Sequence, residues 1–254
     1  MPRLVSIRLA AACALALISI LSLSATALAK SSAELRVVGK KGKVLDEGTL
    51  ALGGKVSIKT SSKATCFGPG TGGSGKKVSL SGSSALGMLG RAASFTAALR
   101  PVLLTDHFID EFGLGLCGIG TSKATSKESW FVKLNHRAQS VGGERVKVHA
   151  GDEVLWALGA YPYPDELALS APAEAQANVP FTVQVLSYDE KGKRKPVSGA
   201  TVTGASGPTD SSGHATVTLA APAELIATAK GDIPSPAQAV CLGSGCAAAS
   251  GAQP

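Results

Sequence analysis

Residues 129–135 of this 254-residue chain read SWFVKLN, and residues 154–157 read VLWA. Both runs are short, rich in β-branched and aromatic residues, and flanked by charged or turn residues, which is typical of β-strands. Residues 34–38 (ELRVV) lead into the turn sequence GKKG, and Val44-Leu45 follows it, which predicts a hairpin. Further strands are predicted at residues 56–59, 102–104, 114–119 and 146–148. The first half of the chain is therefore predicted to be mainly β.

One segment of this half has helical periodicity instead. From Ser84 to about Leu99, apolar residues recur on one helical face, namely Leu86, Leu89, Ala93 and Ala97. Ser83 or Ser84 can cap the helix at its start, and Pro101 stops it. The first domain is therefore predicted to be α+β with one helix.

A second unit of alternating runs begins near Leu167. Residues 181–186 read FTVQVL, and residues 196–203 and 209–219 follow at the spacing of a β-sandwich. Asp210 and Gly213 are expected in a turn, with Ala200 and Ala215 packed inward. The run YPYP at residues 161–164 interrupts the strands and is interpreted as a linker. The predicted domains span residues 30–163 and 164–242, and residues 243–254 are expected to be a disordered tail.

The first 29 residues have the pattern of a secretory signal peptide. Arg3 and Arg8 precede the apolar run Leu9–Leu23, and Ala27-Leu28-Ala29 forms a small-x-small cleavage site. The protein is therefore expected to be secreted, either free outside the cell or associated with its surface. A second long apolar segment is absent from the sequence, so no stable membrane anchor is expected.

The cysteines support an extracellular location. Cys13 lies in the apolar run, which leaves Cys66, Cys117, Cys241 and Cys246, and four cysteines allow three pairings. Export favours disulfides over free buried thiols. Cys241 and Cys246 are near enough in sequence to close a small ring, so the expected bridges are Cys66–Cys117 and Cys241–Cys246.

The sequence lacks the motifs that are typical of metal-binding, catalytic, phosphate-binding and nucleic-acid-binding sites. Asp106, His107, Asp110 and Glu111 would share a helical face and could bind a metal, but the flanking residues favour a turn. No histidine pair has zinc-ligand spacing, no Gly-x-Ser-x-Gly motif occurs, and the glycine-rich loop at residues 66–75 lacks a Gly-Lys-Ser/Thr ending. The basic residues, which give a net charge of +7, are not interleaved with aromatics, so no nucleic-acid partner is predicted. No catalytic or metal residue is predicted.

Three residues remain as candidates for ligand binding: Trp130, Trp156 and Asn135. Tryptophans on strands are more often core anchors than ligand platforms, so both interpretations stay open.

The first domain resembles a known family. Residues 129–135 are similar to the W-x-x-x-V-N-G strand of DUF4430, or transcobalamin-like carboxy-terminal, domains, and residues 146–156 to their v-x-x-G-D-x-v-x-W ending. His136 stands where that family usually has glycine. The resemblance implies a β-grasp-like fold and cobalamin as a ligand; the residues themselves indicate no cofactor. The second domain carries P-V-x-G-A-x-V and T-D-x-x-G-x-A-x-V, which resemble bacterial Ig-like modules.

Together these features predict a secreted bacterial binding or interaction protein without catalytic activity. Its partner would be a small molecule or a cell-envelope component, bound by the first domain. Two alternatives stay open: an exported hydrolase with a triad assembled from distant residues, and a purely structural cell-surface protein.

Overall fold

The computed structural model describes residues 31–243. The predicted signal peptide and all but the first residue of the predicted tail lie outside these residues. Residues 31–243 are mainly β with one α-helix, as predicted. The elements of its first half are β1 (Ser32–Val38), β2 (Val44–Ala51), β3 (Lys55–Lys59), β4 (Lys77–Ser81), α1 (Ala85–Phe95), β5 (Val102–Thr105), β6 (Gly115–Ile119), β7 (Ser122–Lys123), β8 (Ser129–Leu134), β9 (Arg137–Ala138) and β10 (Glu153–Gly159).

A five-stranded sheet in the order β2-β1-β10-β8-β9 forms the centre of the first half. β1 and β10 are parallel and the other neighbours are antiparallel. One face carries Leu35, Val37 and Trp156, which belong to the same buried cluster as Leu86 and Leu89 of α1. This is the mixed sheet with one helix that the α+β, β-grasp-like prediction describes.

Helix α1 begins as predicted and ends early. The Ser84 hydroxyl accepts a hydrogen bond from Gly87 N at 3.2 Å and caps the helix. The helix stops at Phe95, because Thr96 is extended. Only a 3₁₀ turn at Ala97–Leu99 follows, which leaves Ala97 exposed rather than on the buried face.

The strand predicted at residues 146–148 does not form. Lys147 makes one isolated bridge, to Ser84. Val146 and Val148 are buried. Their backbone groups bond to the start of α1 and the residue before its cap: Ala85 N donates to Val146 O at 3.0 Å, and Val148 N donates to Ser83 O at 2.9 Å. The segment therefore packs on the start of α1 instead of joining a sheet.

The second half has a sandwich-like arrangement of short sheets. Its strands are β11 (Glu166–Ser170), β12 (Glu174–Ala175), β13 (Phe181–Tyr188), β14 (Arg194–Pro196), β15 (Thr201–Val202), β16 (His214–Val217), β17 (Ala223–Leu225), β18 (Ala227–Thr228) and β19 (Gln238–Leu242).

These strands form three sheets. β13 pairs with β11, β14 and β16; β12, β19 and β17 form another sheet, and β15 pairs with β18. Ala200 and Ala215 are buried, and Gly213 N closes the predicted turn by donating to Asp210 O at 3.0 Å.

The second half covers the other face of the central sheet. Ile233 is buried against Val38, Phe131 and Leu155 of that face. The ammonium group of Lys133 on β8 donates to Tyr188 O at 3.0 Å and lies 3.8 Å from a Glu166 carboxylate oxygen. Both faces of the sheet are thus buried, one by α1 and one by the second half.

Candidate functional site

A disulfide connects the glycine-rich loop to the sheet β5-β6-β7. Cys66 is bonded to Cys117 on β6, with their Cα atoms 5.3 Å apart, so the predicted pairing is confirmed. Cys246 lies outside the described residues, and the Cys241–Cys246 bridge stays a prediction.

The glycine-rich loop packs so closely that parts of it exclude a side chain. A Cβ placed on Gly73 would lie 2.8 Å from Leu104 O of β5. The next residue, Ser74, donates its N–H to the Asp106 carboxylate at 2.6 Å. Burial of Asp106 would raise its pKa, but the hydrogen bonds from Ser74, together with the backbone N–H of Asp106 and the charge of Lys76, lower the pKa. The loop is therefore fixed to the turn that follows β5.

A cleft of about 730 Å³ opens between the start of β8 and the region formed by the glycine-rich loop and the turn after β5. Beside β8, strand β9 pairs with Lys133 and Leu134, so within residues 31–243 no strand pairs with the Trp130 end of that edge. The cleft lies there, with Gly115 and Leu116 of β6 opposite.

Aromatic residues are concentrated in this cleft. The chain has six phenylalanines, two tryptophans and three tyrosines, and seven of these eleven line it. Phe67 and Phe112 at the rim are 57% and 72% exposed, and Phe108 contacts both edge-on, at ring-centre distances of 5.8 and 6.3 Å. The seven are Phe67, Phe108, Phe112, Trp130, Phe131, Trp156 and Tyr163.

The two predicted tryptophans are both core residues and cleft residues. Trp156 is buried, and its indole N–H donates to Ala85 O at 3.2 Å. The side chain of Trp130 is also buried, yet its Nε1 has no hydrogen-bond partner among the described residues. The core-anchor interpretation is therefore confirmed for both residues, while a role in ligand binding stays a prediction; of the two, only Trp130 keeps an unused donor.

Asn135 does not reach the cleft. It lies beyond the other end of β8, where its Nδ2 donates to Asp152 at 2.8 Å and its Oδ1 accepts from Glu153 N at 2.9 Å. Asn135 and His136 both have positive φ, 49° and 68°, and form the turn to β9. The His136 ring stacks on the Tyr188 ring with their centres 3.9 Å apart, and its Nδ1 lies 3.3 Å from Glu166 Oε2. These contacts hold His136 in this unfavourable conformation.

The acidic segment at residues 106–111 forms turns, with Ile109 N donating to Asp106 O at 3.3 Å. Among residues 31–243, no three histidine, cysteine, aspartate or glutamate side chains are grouped so that they could hold a metal ion. Within the same residues no serine hydroxyl is hydrogen-bonded to a histidine.

No helix in this part of the chain is long and apolar enough to cross a membrane.

Sequence reasoning missed the five aromatic residues that the folded chain adds to the tryptophans: Phe67, Phe108, Phe112, Phe131 and Tyr163. A usable signal was present, since Phe67 follows Cys66 directly, Phe108 lies within the acidic segment at residues 106–111 and Phe112 follows that segment.

Comparison of the chain with protein-family models, with curated proteins and with solved structures gives no match. The DUF4430 and Ig-like resemblances therefore stay predictions.

Proposed function

We propose that this is an exported, non-catalytic binding protein that takes a small, largely apolar molecule into the aromatic cleft. The observation that carries the proposal is the gathering of seven of the eleven aromatic side chains at one cleft. Binding sites for small molecules are concave and mostly apolar, with a few polar groups that orient the ligand.

The exposed rings at the rim support this function. Phe67, Phe112 and Val141 line the cleft and are 57%, 72% and 47% exposed. A ligand that covered one of these side chains would gain about 1–2 kcal/mol from apolar burial. Isolated exposed apolar residues are normal on protein surfaces, whereas a group of them around a concave site is typical of a binding surface.

The scaffold around the cleft suits recognition. The Cys66–Cys117 bridge and the Ser74–Asp106 hydrogen bond hold the loops on one side, and the central sheet holds the other. Loops on a rigid scaffold commonly carry binding residues. Little of the binding energy would then be spent on ordering the site.

The test is a fluorescence titration with the neutral aromatic probe N-phenyl-1-naphthylamine. Because both tryptophans line the cleft, bound probe should accept energy from them, with saturation at one probe per protein. Phe112→Ala should weaken binding about five- to tenfold by removing one wall. It should leave stability within about 0.5 kcal/mol, since this side chain is largely exposed.

The matched control is Phe95→Ala, because Phe95 is 60% exposed and does not line the cleft. Its affinity for the probe should equal that of the unmodified protein. Non-saturable binding, or equal losses in the two variants, would contradict the proposal. Covalent labelling by a broad serine-hydrolase reagent would favour the hydrolase alternative.

A further inference from the structure

We infer that the ligand of the aromatic cleft is a hydrophobic cation: an amine or quaternary ammonium group attached to an apolar body. The inference rests on the proposed function, because it names the chemical class that this cleft takes.

The first observation is the charge of the cleft wall. The chain has 25 lysines and arginines against 18 acidic residues. Yet among the described residues that line the cleft, Glu128 is the one charged side chain, and no lysine, arginine or histidine is present. An anionic ligand would lose its hydration without meeting a cation in the wall, whereas a cationic ligand meets a carboxylate.

A second carboxylate lies directly behind the wall. Gly113 and Gly142 line the cleft, and Cβ atoms placed on them would lie 1.9 and 2.6 Å from the oxygens of Glu144. One oxygen, Oε1, accepts from Leu114 N at 3.3 Å and lies 3.5 Å from Arg145 Nε. The other, Oε2, is buried without a hydrogen-bond partner among the described residues. Arg145 is half exposed, so it neutralises this carboxylate only in part.

The aromatic side chains provide the third observation. The rings of Phe67 and Phe108 meet at 86°, and those of Phe108 and Phe112 at 68°. Rings at such angles form adjacent walls of a box rather than a flat stack. The faces of aromatic rings attract cations, and boxes of this kind bind quaternary ammonium groups.

The test compares two ligands of the same shape, phenyltrimethylammonium and tert-butylbenzene, titrated into the disulfide-bonded protein and followed by tryptophan fluorescence. At low salt the cation should bind at least about fivefold more tightly than its neutral counterpart. Its affinity should fall with added sodium chloride, because Glu128 is only half-buried, while the affinity of tert-butylbenzene should not.

The variant Glu128→Gln tests whether the preference for the cation comes from the Glu128 carboxylate in the cleft wall. The Glu128 side chain makes no hydrogen bond within the described residues, so the variant should fold normally and lose about threefold in affinity for the cation alone. Glu174→Gln, an equal change of charge in the second half, should alter neither affinity. If tert-butylbenzene binds as tightly as the cation, the inference is overturned and the proposed function stands. If neither ligand binds, both fail.

Discussion

Replacing Lys133 by methionine would remove an ammonium group that the second half of the chain depends on. The Lys133 side chain is fully buried, and its Nζ donates to Tyr188 O at 3.0 Å and Asp189 O at 3.3 Å. It also lies 3.8 Å from Glu166, whose side chain is 7% exposed. Burial lowers the pKa of Lys133, and the Glu166 carboxylate opposes that shift.

Methionine keeps the length of the apolar stem but leaves Glu166 buried without its ammonium partner. Removing one member of a buried pair costs about 3–5 kcal/mol, so the free energy of unfolding at pH 8 should fall by that amount. The double variant Lys133→Met, Glu166→Gln should recover more than half of the loss, because it leaves no uncompensated charge.

The loss should also depend on pH. Glu166 Oε2 lies 3.3 Å from His136 Nδ1, and this contact raises the pKa of His136 despite burial, with Glu153 adding to the rise and Lys133 opposing it. At pH 6 the imidazole is charged and partly compensates Glu166, so Lys133→Met should cost less at pH 6 than at pH 8.

Urea unfolding with the disulfide intact measures both effects. The control is Lys195→Met, which removes a largely exposed ammonium 3.0 Å from Asp165 and should cost no more than about 1 kcal/mol. The reasoning is refuted if Lys133→Met also costs less than about 1 kcal/mol, or if the double variant is no more stable than the single one.

Two further predictions concern the disulfide and the turn. The Cys66→Ser, Cys117→Ser variant should lose about 4 kcal/mol of stability in urea unfolding, because the bridge closes a loop of 51 residues; an unchanged midpoint would contradict this. His136→Asn keeps a residue that tolerates positive φ but removes the stacking on Tyr188 and the ion pairs with Glu153 and Glu166, of which only the ion pairs depend on the imidazole charge. A raised pKa stabilises the folded state below the unfolded value near 6.5, and this stabilisation is lost as pH rises through the folded pKa. The deficit should therefore be larger at pH 5.5 than at pH 8.5, and a deficit that does not change with pH would exclude this role.

Local patterns predicted much of the fold. The alternation in residues 34–38 and the turn GKKG gave the first hairpin, and Ser84 gave the helix start, because these signals depend on neighbouring residues only. The failures depend on distant contacts. Residues 146–148 have the composition of a strand, but their hydrogen bonds go to the start of α1. Lys133 occupies a position that exposes a polar side chain in a one-sided sheet, whereas here the second half buries it.

The candidate site was predicted only in part. Trp130 and Trp156 were identified because tryptophan on a strand is conspicuous in sequence, and both line the cleft. Asn135 is a candidate alongside Trp130 because both belong to the motif at residues 129–135, but the strand carries Asn135 to the opposite end of β8. Phe67 and Phe112 are 45 positions apart in sequence and meet at one rim only through the Cys66–Cys117 bridge and the turn after β5.

The most direct test of the central claim is a crystal structure of the protein with N-phenyl-1-naphthylamine bound. The account predicts one probe molecule in the cleft, in contact with Phe67, Phe112 and Trp130, with the central sheet unchanged. A probe found in the second half alone, or an empty cleft at saturating probe concentration, would contradict it.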